Sequence, residues 1–289
     1  MTQIVGFVGK KQSGKDTSCN FLMMLHLCSL GICKRARLNE EGKVEVSDIL
    51  GESVSGQEWL ALSDPSVNLD LLLNNLGVVK KYSLADPLKE IAVNVFGLDV
   101  DTIFGDDEQK NEKIPLKWEN MPGIITKDKC QEHMNDYGVG TGHSVKDYRN
   151  HLKEDFGLIL HGKGRMTGRE FLQYFGTEIC RHIDYNVWAK CLLRRVEQEA
   201  FDMALISDVR FDTEIKKIKR NGGILLGLTR NYNSPDQHAS EQANLDLCDA
   251  VIDNASMTIL EQGHAIYEAL VKLDCKALPK KELQYASTH

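Results

Sequence analysis

Nine residues near the start of the chain constrain it more than any others: Gly9-Lys10-Lys11-Gln12-Ser13-Gly14-Lys15-Asp16-Thr17. They follow an apolar run, Ile4 to Val8, and precede an apolar stretch with helical spacing. Gly, four residues, then Gly-Lys is the spacing of a phosphate-binding P-loop. Glycine lets the backbone wrap closely around an anion, with N–H groups pointing inward as a nest. The following helix adds its positive N-terminal end. Gly9, Lys11, Ser13 and Gly14 are therefore candidate phosphate contacts, and Lys15 supplies a mobile charge for the outer phosphates. Asp16 stands where Ser or Thr usually binds magnesium, and Thr17 comes one place later. The phosphate cradle is firmly indicated by this pattern; the metal ligand is left among Asp16, Thr17 and residues elsewhere.

A strand–loop–helix start implies an α/β fold, and the rest of the chain continues the alternation. Strand-like runs fall at Val78 to Ser83, Met203 to Ser207, Gly223 to Leu228 and Ala250 to Asp253. Helical periodicity falls at Asp16 to Leu30, from Asp86 to Phe96, at Gly168 to Ile183, Val187 to Phe201, Phe211 to Arg220 and Ile259 to Leu273. Asp86 is placed to cap the second of these, Pro87 suits its first turn, and Gly97 ends it. Such alternation predicts a P-loop NTPase-type parallel β-sheet with helices on both faces. We read one such domain over residues 1–277, with a tail at 278–289 that has no apolar period and frays. Two segments break the alternation, about 31–76 and 99–163. Loops this long carry function or their own substructure, and both are expected as insertions that cover the substrates. Leu38 to Lys43 reads as a hairpin tip.

Composition removes several function classes. A net charge of −7 argues against nonspecific nucleic-acid or acidic-membrane binding, while allowing a local basic pocket. No apolar run approaches the length of a membrane-spanning helix. The N-terminus runs straight into the phosphate loop, so no signal peptide is expected. Eight irregularly spaced cysteines, with Cys19, Cys28, Cys180 and Cys191 in apolar helix-like stretches, suggest buried thiols in a reducing cytoplasm. Cys180-x-His182 and Cys130-x-x-His133 lack the second half that a zinc site needs.

Four further clusters carry chemistry. Tyr82 to Lys89 lies where a strand ends and a helix begins, the edge at which open parallel sheets bind ligands; Asp86 and Lys89 are its candidate contacts, although Asp86 alone also reads as a plain cap. Thr167 to Arg181 places Arg169, Gln173, Thr177 and Arg181 four apart, on one helix face. Arg suits phosphate because its fork is planar and permanently charged; the bland alternative is a solvated face. Ala204 to Glu214 is an apolar strand ending in Asp208, followed by Arg210. An acid at that place steers magnesium in P-loop enzymes. Finally, Leu228-Thr229-Arg230 ends a strand before a polar loop, Asn231 to Gln237, and His238-Ala239-Ser240-Glu241, a suitable lid.

Taken together, these pieces resemble the bacteriophage deoxynucleoside monophosphate kinases of the P-loop NMP-kinase-like group. The resemblance is carried by Gly14-Lys15-Asp16-Thr17, Leu84-Ala85-Asp86-Pro87-Leu88-Lys89, and Arg169-x-x-Leu172-Gln173-x-x-Gly176-Thr177-Glu178-x-x-Arg181. Asp208-Val209-Arg210-Phe211, His238-x-Ser240-Glu241 and Ala250-Val251-Ile252-Asp253-Asn254 complete it. It implies transfer of the terminal phosphoryl of ATP to a deoxynucleoside 5′-monophosphate, making DNA precursors for phage replication in the host cytoplasm. It explains Asp16, since Gly-Lys-Asp-Thr is usual there, and it implies a preference for 2′-deoxy acceptors. The ATP site would be Gly9, Lys11, Ser13, Gly14, Lys15, Asp16 and Thr17. The acceptor site would be Asp86, Lys89, Arg169, Gln173, Thr177, Arg181 and Glu241. Magnesium would be held by Asp16, Thr17 or Asp208, directly or through water. Lys15, Arg169, Arg181, Arg210 and Arg230 would screen the two anions during transfer. Trp118 and Tyr174 could stack a base, although a core role also fits them. The partners are then ATP and a dNMP, without nucleic acid or membrane; a homodimer stays open. Two alternatives use the same clusters: a P-loop kinase for another small phosphorylated acceptor, of phosphomevalonate or dephospho-coenzyme A type, and a nucleotide-binding regulator without transfer.

Overall fold

A computed structural model of the 289-residue chain describes residues 2–49, 52–53, 59–61, 76–136, 152–154, 157–230 and 245–279. These divide into two compact units, one made of residues 1–86 and 186–289, the other of residues 87–185.

The first unit is built on a five-stranded sheet. Its strands are β1 (Gln3–Val8), β2 (Val79–Tyr82), β3 (Met203–Val209), β4 (Ile224–Leu228) and β5 (Ala250–Ile252). They lie in the order β5-β4-β1-β3-β2, and every pairing is parallel. Each strand falls within two residues of its expected place. The near-continuous apolar character of β1 and β3 follows from burial on both faces. On one face, Val5, Phe7, Leu205 and Leu226 pack with Phe21, Leu22 and Leu25 of α1 (Lys15–Ser29) and Ile266 and Leu270 of the C-terminal helix (Ile259–Lys272). Gly6 turns the other way. A Cβ there would lie 2.4 Å from Leu225 Cδ2. Helices Val187–Glu199 and Asp212–Arg220 belong to this unit as well, burying Trp188, Leu192 and Val196, and Ile215 and Ile218. The chain passes from β1 to the β3–β2 side and later to the β4–β5 side. β1 is therefore the switch point, and its C-terminal end opens where open α/β sheets bind ligands.

Within 31–76 the expected hairpin is present. Ala36–Leu38 pairs antiparallel with Val44–Val46, which pairs in turn with Leu60–Ala61. Its tip turns at Gly42, with φ +73°. Near the C-terminus, Ala277 and Leu278 pack against the core and Pro279 O accepts from Tyr267 Oη at 2.9 Å, so the order expected to end at 277 extends slightly further. The tail from 280 lies outside the described residues.

The second unit spans the other long segment, 99–163, together with the helices on either side of it. Its core joins Ala92, Leu98, Ile103, Ile114, Met166, Phe171 and Tyr174. Strand Lys113–Lys117 pairs antiparallel with Arg165–Thr167, and Ile124–Thr126 pairs parallel with Ile159–His161. The expected helix Gly168 to Ile183 forms, but not uniformly. It begins on a capping box, Thr167 with Glu170, runs as α-helix to Tyr174, widens to a π-helix over Phe175–Cys180 and closes with Arg181–Ile183. All eight cysteines are thiols. Cys19, Cys33, Cys130 and Cys275 are buried, whereas Cys28, Cys180 and Cys191, expected inside, are half-buried.

Candidate functional site

The loop between β1 and α1 has the geometry its spacing predicts. Gly14 sits at φ +92°, a region that favours glycine. A Cβ on Gly9 would lie 2.9 Å from the carbonyl oxygen of Leu228, so only glycine fits against β4. Ser13 is fully buried. Lys15 Nζ donates to Gly9 O at 2.7 Å, which holds the ammonium over the mouth of the loop. Lys11 is exposed on the loop.

Asp16 forms an ion pair with Lys81 at 2.5 Å. Burial would raise the Asp16 carboxyl, but the charge and hydrogen bond of Lys81, a hydrogen bond from Ser207 and the charge of Lys15 outweigh it. The group is held below its ordinary value. Burial works against the charge on Lys81 too, yet the negative groups around it, Asp16 among them, hold its ammonium above the ordinary value. Thr17 faces elsewhere: a Cβ on Gly42 would lie 2.4 Å from Thr17 Oγ1, and Asn20 Nδ2 donates to Gly42 O at 2.8 Å. The hairpin tip thus rests on the first turn of α1.

Asp208 is the last residue but one of β3, which pairs with β2. It accepts from Ser83 Oγ at 2.6 Å, Leu84 N at 2.7 Å and Ala85 N at 3.2 Å. This carboxylate takes up the orphan N–H groups ahead of helix Asp86–Asn94, the task expected of Asp86. Asp86 instead is the first helical residue, and its carboxylate accepts from Ser83 N at 3.1 Å. Past β3, the Arg210 backbone N–H donates to buried Glu214 at 2.9 Å. The Arg230 guanidinium does not project outward. It donates to Asn254 O at 3.1 and 3.0 Å and to Met257 O at 2.6 Å, tying the end of β4 to the segment after β5. Glu241, and the lid expected over Asn231 to Gln237, lie outside the described residues.

In the second unit, Arg169 donates to Asp107 at 2.6 Å and to Asn111 at 3.1 Å, which orients its fork. The Lys89 ammonium lies 5.0 Å from the Phe104 ring centre. Burial, then the charges of Lys89 and Arg169, hold the Lys110 ammonium below its ordinary value, against the pull of Asp107. Lys110 thus feels the charges of Lys89 and Arg169 as well as those of the acids Asp107 and Asp106. Gln173 and Thr177 are exposed, whereas Arg181 is buried and donates to Tyr185 O at 3.4 Å. The even stripe expected from four-residue spacing is broken, because the π-helical turn carries an extra residue per turn between Tyr174 and Arg181. Trp118 stacks on His161, 3.8 Å between centres, and Tyr174 donates to Pro122 O, so both aromatics serve the core of this unit.

Sequence reasoning missed Lys81, Ser207, Lys110 and the amides Asn254 and Gln262. Two signals were available. Lys81 is a charge inside a strand, and Gln262 is a polar residue on the stripe Gln262, Ile266, Leu270 that the C-terminal helix buries.

A parallel sheet whose switch-point strand opens into a lysine-bearing anion nest is the construction of a P-loop kinase-like α/β fold. A model of the family described as deoxynucleotide monophosphate kinase matches residues 68–262. The chain belongs to that family: it is a kinase that phosphorylates deoxynucleoside monophosphates. The match begins after the phosphate loop, so the loop geometry and the family assignment stand independently. Comparison with curated proteins gave no match. Among the described residues no helix is long and apolar enough to cross a membrane.

Proposed function

We propose that the phosphoryl donor is ATP, bound at Gly9–Thr17, and that the product is the deoxynucleoside diphosphate, a DNA precursor. The observation that carries this reading is the buried Lys15, held by the loop's own carbonyls at the mouth of a glycine-built nest. A triphosphate would exchange those carbonyls for its β- and γ-oxygens. The acceptor's phosphate is already an anion near neutral pH, so no strong general base is required. Screening and alignment of two anions supply most of the rate. Lys15 serves the transferring group. Lys89, Lys110 and Arg169 serve the acceptor, with Gln173, Thr177 and Arg181 on the same helix. Asp86 marks the chain's passage into that unit. Arg210 follows β3 and adds positive charge at the sheet's C-terminal edge, whereas Arg230 acts through the loop rather than on the phosphate.

The residues present fit magnesium. Asp16 is ionised and its side chain is 71% exposed, while among the described residues no group of three or more His, Cys, Asp or Glu could hold a metal alone. Magnesium commonly keeps several waters and binds through one or two carboxylates plus substrate phosphates. Asp16 would hold it, with Asp208 acting through water; Thr17, under the hairpin tip, is the least suited. The ion's contribution when bound is to neutralise charge on the β- and γ-phosphates.

Lys15→Ala tests the reading. Its side chain serves the loop rather than the core, so folding should persist while kcat falls by about a hundredfold or more. Near-normal turnover in this variant would overturn the assignment of the loop.

A further inference from the structure

Two primary amides are buried behind the phosphate loop, with Asn254 at 0% and Gln262 at 1% exposure. Asn254 follows β5, and Gln262 lies in the first turns of the C-terminal helix. Both hydrogens of each amide group are placed. Asn254 Nδ2 donates to Ser13 O at 2.8 Å and to Gln262 Oε1 at 2.7 Å. Gln262 Nε2 donates to Gly14 O at 3.0 Å and to Ser18 Oγ at 2.9 Å. Asn254 Oδ1 accepts from Arg230 N at 2.8 Å. Rotating either amide by half a turn would set oxygen against oxygen, so their orientation is determined.

The two carbonyls they grip belong to consecutive peptide planes of the loop. In a trans peptide the C=O and the next N–H point in opposite directions. Pulling Ser13 O toward Asn254 therefore turns the Gly14 N–H the other way. Gly14 O accepts from Gln262 and also from Ser18 N at 2.9 Å and Ser18 Oγ at 2.7 Å, so Gln262 and the first turn of α1 together set the Lys15 N–H. These are the N–H groups at the Gly-Lys step that a phosphate nest presents. Burying two amides is costly unless every polar atom is paired, and apolar side chains would fill the same space more cheaply. The packing is tight as well: a Cβ on Gly14 would lie 2.7 Å from the Gln262 amide.

We propose that Asn254 and Gln262 are positioning residues that aim the Gly14 and Lys15 N–H groups at the nucleotide's phosphates, with Arg230 anchoring Asn254. The inference rests on reading the loop as the ATP site. Its test measures the ATP dissociation constant, both KM values and the melting temperature for wild type, Asn254→Ala and Gln262→Met. Methionine keeps the length and volume of Gln262 and loses its polar atoms. In variants that melt cooperatively, ATP affinity should fall by tenfold or more, with the dNMP KM within twofold of wild type. Amide exchange at Gly14 and Lys15 should quicken while β1 keeps its protection. Unchanged ATP affinity in a folded variant would overturn the proposal, as would parallel losses for both substrates. Failure of both variants to fold would also overturn it, assigning the amides to stability alone. A wild-type protein that binds no ATP would instead defeat the reading of the loop itself.

Discussion

Asp16 and Lys15 are neighbours with opposite tasks: one charge draws the triphosphate in, and the other repels it unless a cation intervenes. Lys81 is that cation in the protein alone. The depressed Asp16 carboxyl makes the pair's contribution complete above the ordinary carboxylate range and lost only as pH falls through its lower folded value. The raised Lys81 ammonium keeps the pair until pH rises past the ordinary lysine range. The ion pair is therefore constant across neutral pH. Asp16→Asn should bind ATP as well as wild type, or better, when magnesium is chelated, yet lose turnover about tenfold or more with magnesium present. Wild-type turnover in Asp16→Asn, with an unchanged magnesium dependence, would remove Asp16 from the metal's ligands. On the acceptor side, Arg169→Lys keeps the charge but cannot meet Asp107 and Asn111 with one planar fork. We expect a rise in the dNMP KM or a fall in kcat, with ATP binding unaltered; a change confined to ATP affinity would move Arg169 to the donor side. At this scale the Gly-Lys-Asp motif was legible because its spacing has few other uses. The roles of Asn254 and Lys81 were not, although Asn254 stood in a matching motif and Lys81 was a charge inside a strand, since a carboxamide or a lysine acquires its role from groups distant in sequence.

The helix after the phosphate loop carries a second titrating group. His26 is buried in α1, and among the described residues its Nε2 has no hydrogen-bond partner. Burial pushes its pKa from 6.5 down to about 4, against the pull of Asp202. The unfolded chain therefore takes up the proton at a higher pH than the folded one. The stability of neutral, buried His26 is complete above about pH 6.5 and declines as pH falls to 4, by about 3 kcal/mol at the limit. Thermal melts of His26→Leu should lose most of the wild-type slope between these pH values; an identical slope would refute burial as the cause. Strand and helix periodicity made the large sheet legible, β1 and β3 most plainly, because burial on both faces leaves near-continuous apolar runs there. The π-helical turn was not, for the residues of Phe175–Cys180 carry ordinary helical spacing. Within that turn Gly176 lies close against Leu88, where a Cβ would lie 2.6 Å from Leu88 Cδ2.

For the molecule as a whole, the sheet order β5-β4-β1-β3-β2 places one strand at the switch point and gives the phosphate loop its position. Alternation along the chain implied such a sheet. It did not reveal that 87–185 form a compact unit of their own, because the core of that unit draws on helices which read equally well as members of the large sheet's layers. Its pieces, such as Ile114 and Met166, lie far apart in sequence. The family activity is the phosphorylation of a deoxynucleoside monophosphate, and the proposed donor is ATP. A side chain packed against C2′ rejects a hydroxyl by about a hundredfold, so the sugar preference is measurable in the same experiment. The most direct measurement follows the label of γ-³²P-ATP, with magnesium, into dGMP, TMP, GMP, UMP, an isoprenoid phosphate and dephospho-coenzyme A. Label should appear in the β-phosphate of dGDP or TDP, with the deoxy member of a pair favoured about ten- to a thousandfold in kcat/KM. Label only in inorganic phosphate, or transfer to a non-nucleotide acceptor in preference to every dNMP, would contradict the proposed transfer.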